Sequence, residues 1–292
     1  MFIVGIDGGG THTRIELRDM ANCPVRRGEF GPFNLNSIGE NAFRKLLRDI
    51  FTWCGEMKDC ARLCVGGAGI SNPRVVQILG EELVKSGFQG RQKICGDHEI
   101  ALRGAMDGPG VVVIAGTGSI CFGKNASGTT ARSGGYGHLI DDGGSGYALG
   151  RDVLSCAVRV ADGRAASSGI LGAVCDRVKG GVDCVVPFVY GPETDKSAIA
   201  QFSQIALEQA YLGDGEALRI LQQGAEELAQ MVSAVQRRLD MHDCRIALLG
   251  GLIASDNPYR TVVAERFACL GTVVFPEHDA LWGAAQMAWE LK

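Results

Sequence analysis

Hydrophobic residues along the first hundred positions follow two different spacings, and each spacing predicts its own kind of element. Short, mostly apolar runs bounded by polar or glycine residues predict strands at 2–6, 14–19, 25–30, 61–66 and 93–95. Apolar residues at helical spacing, such as Phe43, Leu47 and Ile50, predict helices at 38–54, 73–86 and 98–106. The chain therefore begins with three strands and continues as an α/β segment.

A second α/β segment begins near residue 110 and repeats this order. Strands are predicted at 111–115, 120–122, 129–133, 245–249 and 273–275, and helices at 145–163, 197–211, 215–240 and 279–290. Because many strands are joined by helices, we expect mostly parallel sheets. The economical interpretation is two similar α/β domains with a cleft between them. The predicted domains are 1–108, completed by the last helix at 279–292, and 109–278.

Glycine is concentrated in turns that directly follow predicted strands. Three such turns are Asp7–Thr13, Ala115–Ser119 and Gly250–Gly251. Glycine lets the backbone approach a ligand closely, and a row of exposed amide groups suits a phosphate. Asp7 could hold Mg²⁺, which prefers hard oxygen ligands. The alternative is an ordinary glycine-rich hairpin, and the chain contains neither a P-loop nor a Rossmann motif in its required context.

Polar residues at three further places suggest chemistry on a small molecule. Asp97 follows the strand at 93–95, where it could cap a helix or accept a proton during phosphoryl transfer. The glycine-rich segment 134–147 carries carboxylates, tyrosines, a histidine and a serine, which suit the hydroxyl groups of a sugar. Asn34 and Asn36 could also bind sugar hydroxyls, although Asn36 could equally cap the helix at 38–54.

Composition excludes several classes of function. The net charge of −4 and the isoelectric point near 5.8 argue against a nucleic-acid-binding surface. No apolar run is long enough to span a bilayer, and a strand begins at once, so we expect a cytoplasmic protein without membrane partners. The 11 cysteines include no C-x-x-C pair, and several lie in apolar runs, so we expect reduced core thiols.

Together these motifs resemble a known family. The strings Asp7-Gly-Gly-Gly-Thr-His-Thr13 and Ala115-Gly-Thr-Gly-Ser119, Asp97, the segment 134–150 and Leu249-Gly-Gly251 occur in the order seen in N-acetylglucosamine and glucosamine kinases. Those kinases belong to the BadF/BadG/BcrA/BcrD ATPase family of the sugar kinase/Hsp70/actin superfamily. The resemblance runs from Gly5 to the last helix. It implies two ribonuclease-H-like, actin-like ATPase domains that close on ATP, Mg²⁺ and an amino sugar.

The resemblance also implies a role for individual residues. One set would hold the β- and γ-phosphates of ATP: Gly9, Gly10, Thr11 and Thr13. An opposing set would form the second phosphate turn and line the adenosine: Thr117, Gly118, Ser119, Gly250 and Gly251. Asp97 would take the proton from the sugar 6-hydroxyl group. The remaining set would contact the sugar: Asn34, Asn36, Gly135, Tyr136 and Asp142. The oligomeric state stays open, with a homodimer as one alternative.

One residue departs from the family pattern, and two other functions stay open. Gly143 follows Asp142 where the N-acetylglucosamine kinases have glutamate, so the choice between a free amine and an acetamide is not decided. One alternative is an ATPase that activates acyl-CoA dehydratases or reductases through an Fe–S cluster at a dimer interface, although Cys121 and Cys156 suggest no paired ligand sites. The other is a sugar or nucleotide sensor without catalytic activity.

Overall fold

The computed structural model describes all 292 residues and divides them into two compact units. The first unit comprises Met1–Gly108 together with Pro276–Lys292, and the second unit comprises Pro109–Phe275. The chain thus leaves the first unit once and returns to it for its last helix. All ten strands that the sequence predicts are present, and their ends differ from the prediction by a few residues at most.

The first unit is built on a five-stranded sheet whose strands are β1 Phe2–Gly8, β2 Thr13–Arg18, β3 Pro24–Phe30, β4 Cys60–Gly67 and β5 Arg91–Gly96. Their order in the sheet is β3-β2-β1-β4-β5. The pairs β1–β2 and β2–β3 are antiparallel, whereas β1–β4 and β4–β5 are parallel. Its helices are α1 Leu35–Cys54, α2 Pro73–Lys85, α3 Asp97–Ala105 and α11 Ala280–Trp289.

Alternate residues of β1 pack on opposite faces of this sheet, as the period of two in a strand requires. Val4 and Ile6 belong to the apolar core that contains the buried residues of α1 and α2, whereas Ile3 belongs to a second cluster with residues of α3 and α11. The last helix packs very closely on β1. A Cβ atom at Gly5 would lie 2.3 Å from the amide nitrogen of Ala285, so glycine permits the contact.

The second unit repeats this sheet with the strands β6 Gly110–Ala115, β7 Ser119–Lys124, β8 Thr130–Gly134, β9 Cys244–Leu249 and β10 Gly271–Val274. Their order in the sheet is β10-β9-β6-β7-β8. The pairs β6–β7 and β7–β8 are antiparallel, and β6–β9 and β9–β10 are parallel. The expectation of mostly parallel sheets is therefore wrong, because each sheet begins with two hairpins that make half of its pairings antiparallel.

Helices make up most of the remainder of the second unit. They are α4 Gly146–Ala161, α5 Gly169–Arg177, α6 Val185–Val189, α7 Lys196–Ala200, α8 Ser203–Tyr211, α9 Gly215–Leu239 and α10 Pro258–Phe267. The helix predicted at 197–211 is interrupted between α7 and α8, and α5, α6 and α10 were not predicted. In α10 only Tyr259, Val263 and Phe267 are buried, and so sparse an apolar stripe is a weak sequence signal. None of the helices combines the length and the apolar character needed to cross a lipid bilayer.

The carboxylate of Asp214 accepts hydrogen bonds from the first residues of two helices of the second unit. Its Oδ1 atom accepts hydrogen bonds from the amides of Glu216 and Ala217 at 3.0 and 3.1 Å, which caps α9. Its Oδ2 atom accepts a hydrogen bond from the amide of Gly169 at 2.8 Å, at the start of α5. Burial favours a higher pKa for Asp214, but these hydrogen bonds outweigh it and hold the pKa below its usual value.

We expect Asp214→Ala to lower the free energy of unfolding by about 1–3 kcal/mol at neutral pH, because three amides lose their acceptor. The folded-state pKa of Asp214 is depressed, so its contribution is present above its unfolded pKa of about 3.9 and is lost as the pH falls through the folded value. Urea unfolding followed by far-ultraviolet circular dichroism at neutral and acidic pH measures both effects. The exposed Asp183→Ala is the control, with an expected change within about 0.5 kcal/mol.

Candidate active site

The turn between β1 and β2 exposes backbone at its tip. The amide of Gly9 donates to the carbonyl of His12 at 2.9 Å and closes the turn. At Gly10 no heavy atom lies within 4 Å of the position that a Cβ atom would occupy, so the peptide groups there are open to a ligand. This is the arrangement expected of a turn that binds an anion through its backbone.

The two threonines of this turn have different environments. Thr13 is fully buried, and its hydroxyl group donates to the carbonyl of Gly31 at 2.7 Å. Thr11 is exposed. Thr13 therefore anchors the hairpin to the segment that follows β3, and Thr11 is the threonine whose side chain is open to a ligand.

Asp7 lies in an ionic cluster at the end of β1. Arg14 donates to Asp7 Oδ2 at 2.6 Å through Nη2 and to Asp279 Oδ2 at 3.0 Å through Nη1. Burial raises the pKa of Asp7, Arg14 opposes that rise, and the negative charges of Asp97 and Asp279 add to it. Two carboxylates pair with one guanidinium group, and the charge of Asp97 also acts on Asp7, so the cluster carries a surplus of negative charge that would favour a bound cation.

Asp97 is the first residue of α3, at the end of β5. The N-cap position of α3 belongs to Gly96, and no side chain caps this helix, so the interpretation of Asp97 as the N-cap is wrong. One carboxylate oxygen of Asp97 accepts the amide of His98 at 2.9 Å, and the side chain is 48% exposed. Its carboxylate is therefore held by its own helix while remaining accessible.

Asn34 caps α1 and Asn36 does not. The side-chain oxygen of Asn34 accepts the amide of Asn36 at 3.2 Å. Asn36 lies exposed in the first turn of the helix. Because the side-chain oxygen of Asn34 makes the cap, its side-chain NH₂ group is the part that remains available to bind a ligand.

In the second unit, the turn between β6 and β7 contacts the loop predicted to bind a sugar. The amide of Gly146 donates to the carbonyl of Gly116 at 2.7 Å. The hydroxyl group of Ser119, which is buried, donates to the carbonyl of Gly143 at 2.7 Å. Ser119 therefore fastens the loop 134–147 to the turn, and it does so with the hydroxyl group that the sequence suggested for a phosphate.

The turn at Gly250 packs against the end of β6. Gly250 has a φ of +91°, and a Cβ atom there would lie 2.4 Å from the carbonyl oxygen of Ala115. The same carbonyl accepts the amide of Leu252 at 3.1 Å. The position of Gly251 has no heavy atom within 4 Å of a Cβ atom, so its backbone is open on one side.

A pocket of about 490 Å³ lies between these two turns and the α7–α8 segment. The two turns contribute Gly116, Thr117 and Gly251 to its lining. The polar residues that the α7–α8 segment contributes are Ser197, Gln201, Ser203 and Gln204. The volume suits a ligand of nucleotide size. These polar residues are not among the site residues expected from the sequence. The spacing of Ser197, Gln201 and Gln204, at i, i+4 and i+7, would have placed them on one face of the helix predicted at 197–211.

Asp142 lies against the predicted phosphate turn. Its side chain is only 4% exposed, and its backbone adopts a left-handed φ of +62°. Asp142 Oδ2 accepts a hydrogen bond from Lys196 Nζ at 2.8 Å and lies 2.9 Å from where a Cβ atom of Gly118 would be. The structure thus brings Gly118, expected at a phosphate, next to Asp142, expected at the sugar, and adds Lys196, which no sequence motif indicates.

The start of the same loop is exposed. Gly135 has a φ of +76°, and the amide of Tyr136 donates to Asp141 Oδ2 at 3.0 Å. The ring of Tyr136 is largely exposed and lies beside the guanidinium group of Arg132. A flat aromatic face at this position could contact the apolar side of a sugar ring.

Gly143 lies beside a carboxylate of α9. A Cβ atom at Gly143 would lie 3.0 Å from both Cβ and Oε2 of Glu227. Both residues line a second pocket of about 450 Å³, together with Asp141 and Arg151. A side chain at position 143 would therefore begin next to the carboxylate of Glu227.

The cysteines form no metal centre. No group of three or more His, Cys, Asp or Glu side chains is arranged to hold a metal ion. Cys121 and Cys156 are buried, and burial raises the pKa of both thiols. The chain itself therefore provides no complete ligand set for an Fe–S cluster, and a cation held by Asp7 would need oxygen ligands from a substrate or from water.

Known proteins resemble the chain over almost its entire length. The BadF/BadG/BcrA/BcrD ATPase family matches residues 4–288. The N-acetylmuramic acid/N-acetylglucosamine kinase of Clostridium acetobutylicum is 32% identical over 301 residues, which cover 98% of each protein. The N-acetyl-D-glucosamine kinase of Dictyostelium discoideum is 29% identical over 82% of this chain and 80% of that protein.

A solved structure also has a similar fold over almost the whole chain. The crystal structure of a candidate N-acetylglucosamine kinase from Chromobacterium violaceum superposes with a TM-score of 0.78 at 25% sequence identity and covers 98% of both chains. The predicted α/β fold is confirmed by this match, with two five-stranded mixed sheets in place of mostly parallel ones.

We expect Arg14→Met to destabilise the first unit by about 1–3 kcal/mol at neutral pH, because it leaves the largely buried Asp7 carboxylate without its counter-ion. Burial raises the folded-state pKa of Asp7 above its unfolded value of about 3.9, so the loss should shrink as the pH falls through the folded value and disappear below the unfolded one, where a neutral carboxyl group needs no counter-ion. All three tryptophans lie in the first unit, so tryptophan fluorescence during urea unfolding reports on this unit.

Arg74→Met is the matched control for this experiment. The side chains of Arg14 and Arg74 are both 42% exposed, but Arg74 pairs with Glu40, which is itself 39% exposed. An exposed pair contributes about 0–1 kcal/mol. Equal losses in the two variants would contradict the importance that we assign to the Asp7 cluster.

Proposed function

Because the chain belongs to the BadF/BadG/BcrA/BcrD ATPase family, we propose that it is an ATP-dependent hexosamine kinase that phosphorylates an amino sugar at its 6-hydroxyl group. The observation that carries the proposal is the pocket of about 490 Å³ bordered by two glycine turns that the sequence singled out for a nucleotide. The 32% identity to a kinase of N-acetylmuramic acid and N-acetylglucosamine supports the substrate class.

The nucleotide would be bound mainly by backbone groups. In the second unit, Thr117 and Gly118 would contact phosphates, and Gly250 and Gly251 would border the adenosine. In the first unit, the backbone of Gly9 and Gly10 and the hydroxyl group of Thr11 would contact phosphates. Thr13 and Ser119 would act indirectly, since their hydroxyl groups hold the two turns in shape.

The residues around Asp7 fit a Mg²⁺ ion that accompanies ATP. Asp7 provides a hard carboxylate oxygen, and the surrounding cluster has more negative than positive charge. A single protein carboxylate suits Mg²⁺, which retains several water ligands and usually shares phosphate oxygens with the protein. The ion would neutralise charge on the phosphates and so favour phosphoryl transfer.

Asp97 would be the general base. Its exposed carboxylate at the end of β5 would accept the proton of the sugar 6-hydroxyl as that oxygen attacks the γ-phosphorus of ATP. Asn34, Asn36, Gly135, Tyr136 and Asp142 would orient the sugar. Most of the rate enhancement would come from positioning the two substrates and from stabilising charge, as is usual in phosphoryl transfer.

We expect Asp97→Asn to reduce kcat by about 10²–10⁴-fold, because the amide cannot accept the proton. Calorimetry should find the affinity for ADP within about twofold of wild type, since Asp97 contacts the acceptor and not the nucleotide. The control is Asp107→Asn, whose side chain is 83% exposed and lies outside the proposed site. Full activity in Asp97→Asn would contradict the assignment of the base.

A panel of sugars tests the acceptor. N-acetylglucosamine or glucosamine should give the highest kcat/KM in an assay of ADP release, and glucose should be lower by about tenfold or more, because groups that bind the C2 nitrogen would be left unpaired. The 6-deoxy analogue of the preferred sugar should inhibit competitively without accepting a phosphoryl group. Sugar binding without turnover across the whole panel would instead indicate a sensor.

A further inference from the structure

Lys196 lies over the phosphate turn of the second unit. Its Nζ atom is 2.8 Å from Asp142 Oδ2 and 3.0 Å from the position of a Cβ atom on Gly118. The ion pair therefore rests directly on the turn, and a side chain at position 118 would displace it. The side chain of Lys196 is 31% exposed, so its ammonium group is not enclosed.

The surroundings of Asp142 hold this ammonium group in place. The carboxylate of Asp142 is only 4% exposed, and burying it without a partner would be costly, so Lys196 is strongly retained beside it. The left-handed φ of +62° at Asp142 is a conformation that aspartate tolerates better than most residues. Ser119 fixes the next residue, Gly143, through a hydrogen bond of 2.7 Å to its carbonyl group.

The ammonium group has hydrogen-bonding capacity left for a ligand. A lysine ammonium carries three N–H donors, and Asp142 accepts from one of them. The neighbouring residue, Ser197, lines the pocket that also contains Gly116 and Thr117 of the turn. Lys196 directly precedes this pocket residue and lies against Gly118 of the same turn, and a cation in that position is suited to bind an anionic oxygen.

We propose that Lys196 binds a phosphate oxygen of the nucleotide at the Gly118 turn, and that Asp142 is the residue that positions it. This inference rests on the proposed function, because it concerns the nucleotide of that same site. It gives Asp142 a role toward the phosphates in addition to the predicted contact with the sugar. The carboxylate acts through Lys196, whereas the ammonium group touches the substrate.

Calorimetric titration with ADP and with adenosine, without sugar, tests the proposal. Lys196→Met should weaken ADP binding by about 10- to 100-fold, the range of a charge-assisted hydrogen bond. The affinity for adenosine should change by less than about twofold, because adenosine carries no phosphate. Raising the salt concentration should weaken ADP binding less in the variant than in wild type, since one charge–charge contact is missing.

A second variant covers the risk that Lys196→Met leaves a buried charge unpaired and fails to fold. The double variant Asp142→Asn with Lys196→Met removes both charges together, and we expect the same selective loss of ADP affinity. The matched control is Lys124→Met, an exposed lysine at the end of β7, which should bind both ligands like wild type.

The outcomes separate this inference from the proposed function. Wild-type protein that binds neither ADP nor ATP would contradict the proposed function itself. Wild-type protein that binds ADP, combined with a folded double variant of unchanged ADP affinity, would overturn only the role of Lys196. Equal losses for adenosine and ADP would also overturn it, because they would identify the pair as a structural support of the pocket.

Discussion

Direct packing of backbone against backbone at the ends of the central strands is the constraint on which the candidate site depends. Ala115 ends β6, and its carbonyl oxygen lies 2.4 Å from where Gly250 would carry a Cβ atom. The same carbonyl accepts the amide of Leu252. A side chain at position 250 would separate the two turns and open the pocket between them. Glycine is needed there for the left-handed φ and for the close approach.

Hydrogen bonds from the neighbouring segments then complete the site in the second unit. The amide of Gly146 and the hydroxyl group of Ser119 tie the loop 134–147 to the β6–β7 turn. Because both bonds involve backbone carbonyl groups, the shape of the loop depends on the path of the chain more than on its exposed side chains. A similar hydrogen bond occurs in the first unit, where the hydroxyl group of Thr13 donates to the backbone carbonyl of Gly31.

Charge is placed around these turns by ion pairs that differ between the two units. In the first unit Asp7 and Asp279 share Arg14, and the charge of Asp97 also acts on Asp7, which leaves a surplus of negative charge near Asp7. In the second unit Asp142 and Lys196 form a balanced pair against Gly118. Buried ion pairs contribute little net stability compared with apolar packing. Under the proposed function, their value at these positions is that they hold charged atoms where a phosphate or a cation would bind.

The sequence alone determined the features that depend on local spacing. The strands, the glycine turns and the membership of an ATPase family follow from short patterns, and the structure and the comparisons confirm them. The sequence did not determine the break between α7 and α8 or the helix α10. The hydrophobic pattern runs continuously across the break and is weak over α10, and tertiary contacts override local patterns at both places. The assignment of individual ligand contacts from the sequence remains a set of predictions.

The tertiary structure alone decided which polar groups are free and which are engaged. Thr11 and Thr13 belong to one short motif, yet only the fold buries the second and gives it a backbone partner. Asp142 and Lys196 are separated by 54 positions in the chain, and no local pattern links them. A hydrogen bond between distant residues depends on the path of the whole chain. The sequence therefore determines which groups are present, and the fold determines which of them meet.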